Sequence, residues 1–292
     1  MSIRTILVAV SGGSAGEGAA ELACRLARHH EAHVEGLHAR VDPRDAILAV
    51  GDGFGSPMVS GLIERAAEEI AAAASRAKAC FDRAVAAHGL PVKGAPPAAG
   101  HPFAPKASAI WREEIGSVGD LIARRARLFD LVVLGRSERV IDEPHSDALE
   151  DVVLRCGRPV LLAPAAAPAH LGQSIAVAWN GSIEASRAVA GAMPFLLDAK
   201  NVIVLTAGAG EATEGPALVE ALAWHGIHAV ALHLPQQRGQ SLGSQLLAAA
   251  RKADADLLVM GGYGKAPWRE MMLGGATRQV VGTSVMPILI AH

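Results

Sequence analysis

The chain states one pattern twice, and a long-period repeat constrains the fold more than any single motif. TILVAVSGGS from Thr5 and SIAVAWNGS from Ser174 are each an apolar strand entering a turn of small residues. Helical periodicity follows both, in EGAAELACRLARHH and in IEASRAVAGAMPFLL, as in a strand-turn-helix unit. FDLVVLGRS at 129–137 and ADLLVMGGYG at 255–264 form a second pair, unbroken aliphatic runs of the kind that strands buried on both faces require. GRPVLLAP at 157–164 and SVMPILIAH at 284–292 close each half with a proline just ahead of a short strand, where a missing amide proton costs least.

Alternating strands and helices of this type give an α/β fold with a parallel sheet and right-handed crossovers in each half. Five strands per half are expected, those of the second half at about 174–179, 201–206, 228–234, 256–261 and 286–291. The 292 residues suit two domains, 1–165 and 173–292, with the breaker-rich stretch Pro164 to Gly172 as the linker. The first half is longer because of the stretch from Val41 to Gly61, read as a loop, and PVKGAPPAAGHPFAP, both expected as surface insertions.

Composition removes several function classes. A net charge of −2 lacks the basic footprint of a nucleic-acid binder. No window approaches the roughly 18 apolar residues of a membrane helix, and the chain opens on a strand and not on a signal peptide, so a cytoplasmic protein is expected. Cys24, Cys80 and Cys156 show no CxxC spacing and are expected as buried thiols. His29, His30, His33 and His38 cluster near a helix C-terminus, where they favour the dipole, and no metal site is expected from their spacing. Trp111, Trp224 and Trp268 are expected to pack helices or loops.

The segment LLVMGGYGKAPWREMMLGGATRQVVGTSVMPILI carries the chemistry. A buried strand ends in Gly261 and Gly264, and a second pair, Gly274 and Gly275, opens the last helix. Glycine turns at the carboxyl end of a strand let backbone amides approach an anion, and a helix start adds unpaired amides and a positive dipole end. Lys265 and Arg269 lie on the intervening loop. A plain turn and helix cap would use the same glycines.

With those residues in place, the whole chain resembles tandem universal stress proteins: Gly261, two residues, Gly264, nine residues and Gly274 match that family's ATP-binding glycine pattern. The resemblance implies two five-stranded domains of Rossmann-like, adenine-nucleotide alpha-hydrolase-like type, packed as a pseudo-dimer through antiparallel pairing of VLLAP with PILIA inside one chain. It implies phosphate contacts at Gly261, Gly262, Gly264, Gly274, Gly275, Ala276 and Thr277, largely through main-chain amides. Asn180 falls where the family usually has an acidic ribose ligand, and Thr206 and Ala207 fall where strand backbone meets adenine. Trp179, beside Asn180, would wall the nucleotide. Two positions depart from the pattern: Asn180 lacks the charge, and Gly275 stands where the family has serine or threonine, the next hydroxyl being Thr277. In the first half Ser11 takes the acidic position and GRSERVIDEPHSD replaces the glycine loop, so that domain is expected to bind no nucleotide in the family manner.

The expected function is that of an ATP-binding regulator in a stress response, with magnesium arriving on the nucleotide and little or no turnover, because no residue is placed as a general base. A homodimer of the whole chain is an open possibility. The alternative is a scaffold or interaction module that binds no nucleotide. Ser11 to Ser14, SGGS after a strand, resembles the loop of adenylating pyrophosphatases, but Ala15 stands near the position where that loop carries aspartate. Neither a Walker A sequence nor a GxGxxG fingerprint occurs, since Gly264-Lys265 lacks the following hydroxyl.

Overall fold

The computed structural model describes residues 2–42, 56–94, 106–136, 145–207, 214–235, 239–262 and 275–292, with 56–60 and 145–148 given by backbone alone. The first half runs β1 (Thr5–Ala9), α1 (Ser14–His30), β2 (His33–Arg40), α2 (Ser56–Ala87), β3 (Ser108–Ile115), α3 (Val118–Ala126), β4 (Leu131–Gly135), α4 (His145–Arg155) and β5 (Val160–Ala163). The second runs β6 (Ser174–Ala178), α5 (Ile183–Asp198), β7 (Asn201–Ala207), α6 (Glu214–Ala223), β8 (Ala229–Leu234), α7 (Leu242–Lys252), β9 (Leu257–Gly261), α8 (Gly275–Thr283) and β10 (Ile288–Ala291).

All ten strands join one sheet in the order β3-β2-β1-β4-β5-β10-β9-β6-β7-β8. Neighbours run parallel except at the centre, where β5 and β10 pair antiparallel with Ile288 opposite Leu162 and Ile290 opposite Val160. The two halves therefore follow the same strand order outward from a seam inside one chain, as expected of a pseudo-dimer. Pro159 and Pro287 lead into the seam strands, and their carbonyls accept from Val132 and Leu258 at 3.1 Å each. A proline keeps its acceptor while giving up only a donor.

The aliphatic runs at 131–134 and 257–260 are buried on both faces because helices cover both. One core layer gathers α1, α2, α5 and α6 against the sheet, the other α3, α4, α7 and α8. Each fully buried leucine or isoleucine in these layers contributes about 1.5–3 kcal/mol.

The repeat extends to a polar device that escaped the sequence reading. Asp130, just ahead of β4, accepts through Oδ2 from the amides of Arg4 and Thr5 at 2.8 and 2.9 Å. Asp256, just ahead of β9, accepts from the amides of Gly172, Gln173 and Ser174. Each aspartate thus clamps the start of the neighbouring strand in its own half.

Two expectations need correction. Ser56 to Gly61, read as part of a loop, forms the first turns of α2, where an alanine- and glutamate-rich run sustains a 32-residue helix. Trp224, expected to pack, is 86% exposed in the turn after α6. Trp111 does pack, against Phe81 and parallel to His38, whereas Trp268 lies outside the described residues. Cys24, Cys80 and Cys156 are free and buried.

Candidate functional site

In an open α/β sheet, ligands bind beyond the carboxyl ends of the strands where the strand order reverses. The second half has that switch point between β6 and β9, which are direct neighbours with Ala178 opposite Met260. Helix α8 links the parallel neighbours β9 and β10, so it begins at the same edge of the sheet. Trp179 and Asn180 continue β6 outward, and Gly262 continues β9.

Trp179 donates its amide to the Leu205 carbonyl at 2.8 Å, extending the β6–β7 ladder by one residue. Its ring packs against the core layer on the α5 side, and the indole Nε1 is buried with no hydrogen-bond partner. Asn180 is exposed. Its Oδ1 accepts from the Ser182 amide at 3.1 Å, and Ser182 Oγ in turn accepts from the Ala185 amide at 3.1 Å, capping α5. This local turn fixes the Asn180 side chain and leaves its nitrogen with no partner among the described residues.

Thr206 is 2% exposed. Its Oγ1 shares a hydrogen bond with His233 Nδ1 at 3.1 Å, and its methyl lies where Gly215 of α6 makes room. Its side chain therefore belongs to the α6 packing, and only the backbone of Thr206 and Ala207 reaches the carboxyl edge of β7.

The glycines divide by role. Gly261 lies under the first turn of α5, where a Cβ would stand 2.5 Å from the Ala185 amide nitrogen. Gly135 of β4 meets the Ala15 carbonyl of α1 in the same manner, so both halves need a glycine here for close helix approach, with or without a ligand. Gly262 donates its amide to the Ala291 carbonyl at 2.9 Å and faces Ile290 with Val153 nearby. That amide extends the β9–β10 ladder by one residue and is engaged there. Gly264 and Gly274 lie outside the described residues. Gly275 opens α8, followed by Ala276 and Thr277 in its first turn. Thr277 is buried, and its hydroxyl has no partner among the described residues. Gln279, one turn on, bonds Ser241 and Ser244 of the α7 start, which fixes α8 against α7.

The corresponding place in the first half is an open cleft of about 520 Å3, mouth included, at the ends of β1, β2 and β4. Val10, Leu37, Ile122 and Leu134 line it together with Ser11. Arg136 stands where the second half has Gly262 and donates from Nη1 to the Val281 carbonyl of α8 at 2.6 Å. A side chain that ties the two halves together thus occupies the position of a loop glycine.

Among the described residues no group of three or more histidine, cysteine or acidic side chains is placed to hold a metal ion, and no helix is long and apolar enough to cross a membrane.

The fold defines a doubly wound α/β protein with a topological switch point in each half, between β1 and β4 and between β6 and β9. A universal stress protein from Archaeoglobus fulgidus DSM 4304 matches with a TM-score of 0.69 and 14% identity, covering 98% of this chain and 97% of that one. A functionally unknown protein from Pseudomonas aeruginosa PAO1 matches with a TM-score of 0.55 and 16% identity, covering 99% of this chain and 92% of that one. No protein-family model matches the chain, and no curated protein matches it in sequence. The chain has the universal stress protein fold, and the likeness extends over both halves.

Proposed function

We propose that the second half binds an adenine nucleotide, ATP in the first instance, and that the protein acts as a nucleotide-dependent regulator in a stress response with little or no turnover. The observation that carries the reading is the set of unengaged donors about the β6–β9 switch point. The Asn180 carboxamide nitrogen and the Thr277 hydroxyl have no partner among the described residues, and the Trp179 indole nitrogen is buried without one. Unpaired donors at such a point suit the hydroxyl, ring and phosphate acceptors of a nucleotide. Asn180 would hold a ribose hydroxyl without the charge of an acidic residue. The glycine spacing 261, 264, 274 in the sequence supplies the phosphate loop.

Gly135 shows that the first of these glycines is also required by packing alone, so the weight falls on Gly264 and Gly274. Magnesium would arrive on the phosphates, since the described residues offer no cluster of ligands for it. ATP with magnesium titrated calorimetrically into nucleotide-stripped protein tests the reading, with a Gly264→Asp, Gly274→Asp double variant beside it. Saturable heat that the variant loses is the expected result. No heat and no thermal shift at about 1 mM ATP, a concentration that detects even the weakest useful affinity, would overturn it in favour of a scaffold that binds no nucleotide.

A further inference from the structure

The two outer edges of the ten-stranded sheet are finished in opposite ways. At one end is β3, whose outer side is met by the short parallel bridge from Val92 to Ala109. Beyond it β3 carries Arg112, Glu113 and Glu114. At the other end is β8, AVALHL, without a charge. Charged side chains and partial cover are how natural sheets blunt an edge, and β8 has neither among the described residues.

The strand registers sharpen the contrast. Leu7 stands opposite Glu35, and Glu35 opposite Ile110. In the second half Ala176 stands opposite Ile203, and Ile203 opposite Val230. Two residues along, Arg112 of β3 therefore corresponds to Leu232 of β8. In the first half this face bears the Glu35, Arg112 and Arg125 ion cluster. In the second half the same face presents Val230 at 68% and Leu232 at 40% exposure. Helix α6 packs on the opposite face, where Ala231 lies under Gly215.

We propose that β8 is the contact through which a second copy of this chain docks, edge to edge, to give a two-fold dimer with one continuous sheet. The occupant follows from self-complementarity. An isologous contact sets a surface against itself, so charges tend to oppose like charges, and an uncharged strand meets that condition. In an antiparallel pairing centred on Ala231, Val230 of one copy lies opposite Leu232 of the other, and their exposed apolar side chains cover each other. A head-to-tail contact between β8 and β3 would instead propagate without closing, and the bridge from Val92 together with the charges of β3 opposes it.

Light scattering coupled to size exclusion over a concentration series of the full chain tests the proposal, together with hydrogen exchange of the β8 amides. A dimer with a dissociation constant on the order of 1 µM is expected, with β8 exchange slowing as concentration rises. V230K and L232K each place like charges within the contact and should raise the dissociation constant by about tenfold or more, whereas V92K at the other edge should leave it unchanged. Both Val230 and Leu232 are exposed, so the variants should melt near the wild type. A chain that stays monomeric at about 100 µM, a dimer that both lysine variants leave intact, or open-ended polymers would overturn it. Because β8 exchange is read on the wild type, the outcome does not depend on the variants folding.

Discussion

Gly261 and Ala185 touch through bare backbone: a Cβ on Gly261 would stand 2.5 Å from the Ala185 amide nitrogen, so the end of β9 and the first turn of α5 leave no room for a methyl group. Gly261→Ala is expected to cost about 1–3 kcal/mol, since the clash is with main chain and cannot be relieved by a rotamer change. Gly61→Ala is the control. A Cβ there meets nothing within 4 Å in helix α2, so it should stabilise by up to about 1 kcal/mol. Urea midpoints for the two variants check the pair, and equal shifts would contradict the close approach.

Glu35 is 3% exposed and held by two arginines. Arg125 donates to Oε1 at 2.6 Å and to Oε2 at 2.8 Å, and Arg112 donates to Oε2 at 2.8 Å. Burial alone would raise the carboxyl pKa, but the hydrogen bonds and charges of Arg125 and Arg112 outweigh it and hold Glu35 below its usual 4.5. Its stabilising contribution is therefore complete above the unfolded value and is lost as pH falls through the lower folded one. Glu35→Gln should cost about 1–3 kcal/mol at neutral pH. The gap to wild type should narrow in acid below the unfolded value. A gap that holds constant through that window would count against the ion cluster.

Most of the architecture was legible because it rests on backbone-level demands. Buried parallel strands need unbroken aliphatic runs, and prolines fit only where no donor is needed, so the strand positions could be read from segments such as 157–164 and 284–292, whereas the seam pairing was expected only from the family resemblance. What escaped rests on side chains meeting across long separations. Asp130 and Asp256 occupy matching places in the repeat, and aligning FDLVVLG with ADLLVMG would have exposed them. The exposure of Trp224 had no such signal, because composition does not tell a turn tryptophan that packs from one that does not. At the site, Gly135 gave the local warning: the half without the glycine loop keeps a glycine at the end of the same strand, so packing sets that position.

Burial pushes the Cys24 thiol up to about 12, helped by the nearby charges of Glu21 and Cys80, and pushes Cys80 up to about 11. The thiolate is the reactive form, so at pH 8 only on the order of one part in a thousand or less of either is available. Iodoacetamide should leave both unlabelled in the native protein and modify them at the rate of global unfolding, as mass spectrometry of quenched samples would show. Rapid labelling of Cys24 without loss of helical signal would mean that α1 opens locally.

His30 ends α1 with its ring edge-on to Phe195, centroids 5.8 Å apart, and with Nε2 buried and unpartnered. Burial, reinforced by neighbouring His29, lowers its pKa from 6.5 to about 4, against the opposing pull of Asp198. Between those values the unfolded chain binds a proton that the folded one refuses, so stability falls as pH drops through the window, by at most about 1.4 kcal/mol per unit. Glu35 acts only below its unfolded value of 4.5, and His33, also held below 6.5 by burial, loses stability in the same direction, so the share of His30 is read as the difference between wild type and a variant. His30→Phe removes the titration while keeping an aromatic ring beside Phe195. Denaturant unfolding at neutral pH and again near pH 5 should show wild type losing about 1–2 kcal/mol more than the variant. Equal losses would mean that His30 accepts its proton in the folded protein, with the α1 terminus more open to water than its packing indicates.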